Sequence, residues 1–383
     1  MSTGRTDRPG RADPSTPLDA AEIARRRMRN VGLVAPAFPA YTEVVRWLGA
    51  VQAQDYEPAK WSLAQRLRSV SESALEEELS AGRLIRTHLL RPTWHFVLPE
   101  DLRWMLELTA PRVHGFNRYY YRQFGIDEAL PQRCSKLLET ELQGGNSLTR
   151  KEIEVLLCRS GIEASGTRLG LLLMHAELEG LICSGPRRGK QQTYALLEER
   201  VPPAPTMDRE SALVELARRY YTSHGPATIK DFRWWSSLPS AEIVDALEAV
   251  GDGLIKDSVG GTTFWSANPG RDDGRKNAGP AVHLLQSYDE YLVGYTESKY
   301  VLDISGVARS RSPGRTIFNQ VVLLDSQVAG YWRRTTRKGI VRIEVVLDSP
   351  FTAAQSAALR TAADQYAEFL GLAAELTVSP EAS

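Results

Sequence analysis

The stretch that decides the fold runs from Thr167 to Leu196, TRLGLLLMHAELEGLICSGPRRGKQQTYAL. Leu169, Leu172, Leu173, Ala176 and Leu178 recur at helical spacing, and Gly180 ends the helix because glycine takes the left-handed conformation without steric cost. Leu181-Ile182-Cys183-Ser184 and Gln192-Thr193-Tyr194-Ala195-Leu196 then read as two strands around Gly185-Pro186-Arg187-Arg188-Gly189-Lys190. Helix, strand, basic Gly-rich tip and returning strand is the order of a winged helix. The tip has two readings. Glycine allows close approach while Arg187, Arg188 and Lys190 supply charge to backbone phosphates, or the segment is an ordinary solvated hairpin loop.

Working outward, the same order recurs on both sides. Upstream, Asp19 is placed to cap a helix that starts at Ala20-Ala21-Glu22. A second helix reads from Pro39 or Ala40 through Tyr41, Val44, Val45, Leu48 and Val51, and a third, acidic one spans Ser73 to Ser80. Leu84-Ile85-Arg86-Thr87 and Arg91-Pro92-Thr93-Trp94-His95-Phe96-Val97 follow as a strand pair. Ser147 to Glu152 opens a helix of the middle unit. Downstream of the linker Val201-Pro202-Pro203-Ala204-Pro205, helices at Leu213 to Tyr221, Lys230 to Trp235 and Ala241 to Val250 lead to strand-like Gly253 to Ile255 and Thr262 to Trp265. Beyond a loose loop from Pro269 to Pro280, strands dominate until a last helix at about Thr352 to Gly371. The fold class is α+β: three tandem winged-helix units with a β-rich C-terminal region. The expected boundaries are a disordered tail at 1–17, winged-helix units at 18–125, 126–200 and 206–268, and the β-rich region at 280–375.

Composition narrows the function. The chain has 383 residues, 42% hydrophobic and 25% charged, which excludes a disordered scaffold, a collagen-like repeat and a coiled-coil rod. No apolar run reaches the ~18 residues of a membrane span, and the polar, Arg-bearing segment from Met1 to Pro14 is not a secretory signal. Cys134, Cys158 and Cys183 are odd in number and widely spaced, so neither a disulfide framework nor a cysteine zinc site is expected. A reduced, cytoplasmic protein is the expectation. Lys+Arg and Asp+Glu both number 47, yet nucleic acid responds to the local field and not the sum. Nine of the 47 basic residues are lysines, leaving 38 arginines, a bias that genomic base composition also produces. The clusters Arg25-Arg26-Arg27 with Arg29, Arg187-Arg188 with Lys190, and Arg333-Arg334 with Arg337-Lys338 point to a basic face without a basic pI.

No phosphate loop, H-E-x-x-H or G-x-S-x-G elbow is present. His88, His95, His114, His175, His224 and His283 are scattered, with none expected beside a carboxylate at metal-ligand spacing, so no metal and no cofactor are assigned. What stands out is Val51-Gln52-Ala53-Gln54-Asp55 at the end of the second helix. A glutamine amide is no strong base, but its acceptor oxygen and two donor hydrogens hold and orient a water, as a positioned glutamine does in GTPases. Residues i and i+2 diverge by about 200° on a helix and share a side on extended backbone, so the two amides converge only if the helix has ended by Gln52. Otherwise both simply cap a helix end.

With Gln52-Ala53-Gln54, the segments Ala59 to Leu67, Arg91 to Leu102, His224 to Thr228, Asp231-Phe232, Trp234-Trp235-Ser236, Tyr288 to Tyr295 and Gly330 to Arg334 resemble, in order, the AlkZ-like family of winged-helix DNA glycosylases, over roughly residues 18 to 375. The resemblance implies a concave DNA-binding surface and hydrolysis of the N-glycosidic bond of N7-alkylated purines, including bulky adducts and, in some members, interstrand crosslinks. It implies Gln52 and Gln54 as catalytic residues of the Gln-apolar-Gln branch, the branch associated with self-resistance to genotoxic natural products; Asp55 is out of register with the carboxylate of the other branch. His95 matches a family histidine beside the lesion, with buried hydrogen bonding as its other reading, and Arg333 and Arg334 are placed on phosphate or on a solvated strand edge. Trp94 and Trp332 read as core, and Asp289-Glu290 as orienting the C-terminal β structure. Only Lys60 lies near the motif, which disfavours a Schiff-base lyase. The expected partner is double-stranded DNA containing alkylated purines, with no membrane, no obligate protein partner and a monomer sufficing. A non-catalytic winged-helix regulator is the principal rival, and a domain that sequesters a genotoxin is a third class.

Overall fold

Asp19 begins the first helix as expected, its carboxylate accepting the backbone N–H of Glu22 at 2.7 Å. The computed structural model describes residues 18–34, 38–68, 71–267, 279–311 and 320–380. The tail at 1–17 and nearly all of the loop from Pro269 to Pro280 lie outside the described residues.

The first third comprises α1 (Ala20–Asn30), α2 (Tyr41–Leu48), β1 (Val51–Gln52), α3 (Tyr56–Ala64), α4 (Glu72–Ser80), β2 (Ile85–Leu89), β3 (Arg91–Val97) and the long α5 (Pro99–Gln123). Its antiparallel sheet has the order β1-β3-β2. Then come α6 (Ala129–Leu142), β4 (Leu148–Thr149), α7 (Arg150–Arg159), α8 (Gly166–Leu178), β5 (Ile182–Ser184), β6 (Thr193–Leu196) and α9 (Leu197–Arg200), with sheet order β4-β6-β5. Thr149 and Glu152 close a reciprocal capping box at the start of α7. The third group is α10 (Arg209–Ser223), α11 (Ile229–Ser236), α12 (Ser240–Val250) and the hairpin β7 (Ile255–Val259) and β8 (Thr262–Ser266). The remainder holds β9 (Val282–Leu285), α13 (Glu290–Val293), α14 (Val307–Arg311), β10 (Val321–Leu324), β11 (Gln327–Arg337), β12 (Ile340–Leu347), α15 (Ala353–Phe369) and β13 (Ala373–Pro380). Its five strands order as β13-β12-β11-β10-β9, antiparallel except for β12 with β13.

Three apolar cores hold these elements. The largest joins α1 to α4 with the five-stranded sheet and α15, so the two ends of the chain share one interior. Trp61 of α3 shows why: its ring meets Tyr366 at 5.0 Å and its Nε1 donates to Leu284 O at 2.7 Å. A second core packs β2, β3 and α5 against α10 to α12, and a third closes α6 to α8 over β5 and β6. The Gln-bearing strand lies between the first two cores. No helix among the described residues is long and apolar enough to cross a membrane.

Candidate active site

The second helix is shorter than its apolar spacing predicts. It stops at Leu48 because Gly49 turns to φ +83°, a left-handed conformation that favours glycine, and Val51 belongs to β1 instead. Val51 and Gln52 pair with Phe96 and His95, and Ala53 N–H continues the ladder to Trp94 O at 2.7 Å. The helix has therefore ended before Gln52, which lies on extended backbone, and the chain bends at Gln54. Both amides are tied to the same strand, β3. Gln52 Oε1 accepts from Arg91 at 2.6 Å, and Gln54 Oε1 accepts from the backbone N–H of Trp94 at 3.3 Å. Each oxygen retains a second lone pair, since a carbonyl oxygen has two. Asp55 points away into solvent at the start of α3 and makes no capping bond.

The support behind Gln52 comes from residues far off in the chain. Its backbone N–H donates to Glu290 Oε1 at 2.7 Å. Glu290 is fully buried, and its other oxygen accepts from Trp235 Nε1 at 3.0 Å and faces His224 Nε2 at 3.3 Å. Gly294 is required here: a Cβ would lie 2.7 Å from Glu290 O and 2.8 Å from the His224 ring. Arg91, also buried, gives its second guanidinium bond to Trp235 O at 3.2 Å. Burial lowers its pKa and the Glu290 charge opposes that shift, so Gln52 sits between a guanidinium and a carboxylate. On the other side Arg86 donates to Ala53 O at 3.0 Å and Gln54 O at 3.3 Å, and lies 4.4 Å from the Trp94 ring.

His95 is completely buried, directly across from Gln52 on one side and Thr87 on the other. Burial first, then the Arg91 charge, hold its pKa well below the usual value, so the ring is neutral. Nδ1 contacts Thr93 O at 3.0 Å; an oxygen of that kind only accepts, so Nδ1 carries the hydrogen and Nε2 a lone pair. His95 Nε2, Thr87 Oγ1 and Thr93 Oγ1 are buried without a protein hydrogen-bond partner. Buried polar groups are usually paired, so these three atoms set this part of the β2 and β3 pair apart from its neighbours. Trp234 stands at the edge of this cluster, exposed at 47%, its Nε1 bonded to Val293 O and its ring 5.9 Å from the Arg91 guanidinium.

The basic clusters distribute differently from their reading as one charged face. Arg27 is fully buried, bonded to Pro226 O at 2.8 Å and Ser298 O at 3.2 Å, while Arg25 and Arg26 pair with Glu22. At the wing, Arg187 folds inward onto Glu76 at 2.7 Å and lies 4.7 Å from the Tyr56 ring. Arg188 pairs with Glu152 but stays half exposed, and Lys190 is exposed at the tip. Arg333 is exposed and pairs across the ladder with Glu344 at 2.7 Å, while Arg334 lies 5.6 Å from the Tyr366 ring. Lys60 is buried within reach of Glu57, Glu72 and Glu76. Trp332 is core, with Nε1 bonded to Leu285 O at 2.8 Å, whereas Trp94 is only half-buried. Asp289 makes two 2.8 Å bonds to Arg66, and Glu290 supports the motif itself, a role beyond orienting the C-terminal sheet.

Two amides held on one strand beside buried polar atoms form the candidate site of this multi-sheet α+β scaffold. The model of the DNA glycosylase AlkZ-like family matches residues 45–369, and the chain belongs to that family. A curated relative, the interstrand DNA cross-link repair glycosylase of Streptomyces sahachiroi, is 26% identical over 331 residues, 82% of this chain and 88% of the relative. The solved structure of Streptomyces sahachiroi DNA glycosylase AlkZ superposes with a TM-score of 0.76 at 22% identity, over 95% of this chain and 100% of that one, which establishes the shared fold.

Proposed function

We propose that this glycosylase is monofunctional and removes N7-alkylated purines from duplex DNA, with Gln52 and Gln54 holding the attacking water. The observation that carries the reading is the extended backbone from Val51 to Ala53, with both amides fixed on β3. Alkylation at N7 makes the purine cationic. When the bond from N9 to C1′ breaks, its electron pair neutralises that charge, and the base leaves without a general acid. The sugar gains oxocarbenium character; water oxygen bonds to C1′ and sheds its proton to solvent, leaving an abasic site. Two positioned carbonyl oxygens suffice where the leaving group is already activated, and positioning can contribute up to ~7–11 kcal/mol. The paired carboxylates used on neutral glycosides are not needed. Neither a metal nor a cofactor has a step in this reaction.

The three helix-and-small-sheet groups serve as winged-helix units that bind the duplex as a monomer. Arg188, Lys190, Arg333 and Arg334 contact phosphate, and the buried His95 backs the lesion site through its strand partner Gln52. The curated relative is named for interstrand crosslink repair, and the same class of bulky or crosslinked N7 adducts is proposed here. The test is base release from duplexes bearing one N7-methylguanine or one bulky N7 adduct, with borohydride trapping alongside. Release without a trapped enzyme–DNA adduct is expected, and unmodified guanine stays in place. Tight duplex binding with release of neither base would overturn the reading in favour of a non-catalytic regulator.

A further inference from the structure

Away from the glutamine site, α5 and α8 bring two imidazoles and a carboxylate to one point. His175 and Glu179 are four residues apart, one turn of helix, at the C-terminal end of α8, so both side chains project from one face. His114 reaches them from α5. Its Nε2 lies 3.0 Å from Glu179 Oε1, and its ring centroid lies 4.8 Å from that of His175. One donor atom from each of the three falls within 4.8 Å of the others. The expectation that no histidine stands at ligand spacing from a carboxylate is corrected by this arrangement.

We propose that His114, His175 and Glu179 form a binding site for a zinc-like divalent cation that fastens α5 to α8. Three features converge on it. First, the hydrogen-bonding capacity of these rings is not used up within the protein. His175 Nδ1 is buried without a partner, and His114 Nε2 has the half-exposed Glu179 carboxylate beside it at 3.0 Å. Second, Tyr121 OH lies 3.0 Å from His114 Nδ1, the position of an outer partner that fixes the tautomer and turns Nε2 toward a metal. Third, Glu179 is 56% exposed, which leaves an entry path and a coordination position for water. Two nitrogens and one oxygen suit Zn²⁺ or Co²⁺ and not Mg²⁺ or Ca²⁺, which prefer all-oxygen sites.

The other acidic grouping, Glu57, Glu72 and Glu76, makes a useful contrast. The Lys60 ammonium already lies within ion-pair reach of all three carboxylates and supplies the cation there.

The full-length protein, stripped with chelator, is titrated with Zn²⁺ by calorimetry and with Co²⁺ by visible absorption. One tight site with a Zn²⁺-dependent rise in Tm is expected. His114→Ala and His175→Ala should abolish it, Glu179→Gln should weaken it at least about tenfold and Tyr121→Phe about tenfold. Glu72→Gln should change nothing. Glu179 is on the surface, so Glu179→Gln decides the matter even if a histidine variant fails to fold. No Zn²⁺ binding by the wild type, or equal affinity in Glu179→Gln, would overturn the proposal.

Discussion

The charges around Gln52 and the charges at the wing tip come from the same residue types and behave in opposite ways. Beside the motif, Arg91 and Glu290 are buried and Arg86 is half-buried, and each is bonded to the motif or its neighbours with distances of 2.6–3.3 Å. At the wing and on β11, Arg188 and Arg333 are exposed and pair with surface glutamates. A buried charge without its partner is costly, so the first region is rigid and sets geometry. A surface pair is screened by solvent and contributes little, so the second region does not fix geometry. Burial, more than residue type, separates the orienting arginines from the exposed ones.

The largest effect is expected at Arg66, whose guanidinium is buried against Asp289; burial alone would raise that carboxyl, yet the ion pair holds it below its usual range. Arg66→Ala should cost about 3–5 kcal/mol in denaturant unfolding, and a loss under 1 kcal/mol would contradict the claim that buried charges brace this fold. Next comes Glu290→Gln, which keeps size but removes the charge beside Arg91 and turns one of the two acceptor oxygens into a donor. Single-turnover base release should fall by up to about 10²-fold with duplex affinity retained, as misplacement of a fixed group implies.

A third, smaller effect concerns pH. His283 is lowered to about 4, by burial first and then the Arg66 charge, and His95 is lowered as well. The folded pKa lies below the unfolded value near 6.5, so the unfolded chain takes up protons first as the pH drops. Stability is complete above about 6.5 and should decline by about 1–3 kcal/mol toward pH 4. Thermal unfolding across that range checks the sign; rising stability toward acid would refute it. Smallest of all, Arg188→Ala or Arg333→Ala should leave the unfolding midpoint unchanged while reducing the salt slope of duplex binding by about 1. An unchanged slope would remove that residue from the phosphate contacts.

Much of the fold is legible locally. The cap at Asp19, the capping box at Thr149 and the helix and strands around Gly185 follow from short-range chemistry that a linear reading captures. The Gln-Ala-Gln motif is legible as a pattern, but its geometry hinges on Gly49, which ends α2 early against a continuing apolar spacing. Glu290 could not be found this way, because 238 residues separate it from Gln52 and no local signal joins them. Arg27 and Arg187 mislead for the same reason: a run of arginines looks exposed until Pro226, Ser298 or Glu76 arrives from elsewhere in the chain. His175 and Glu179 were within reach as a one-turn pair, whereas His114 joins them only through the packing of α5 on α8.

The central claim is that two glutamine amides, fixed on one strand, place the water that releases the base. It is tested most directly by single-turnover release from a duplex carrying one N7-methylguanine, comparing wild type with the Gln52→Ala/Gln54→Ala double variant. Release by the wild type and its loss in the variant are expected, with duplex binding preserved. Equal release by both proteins would contradict it.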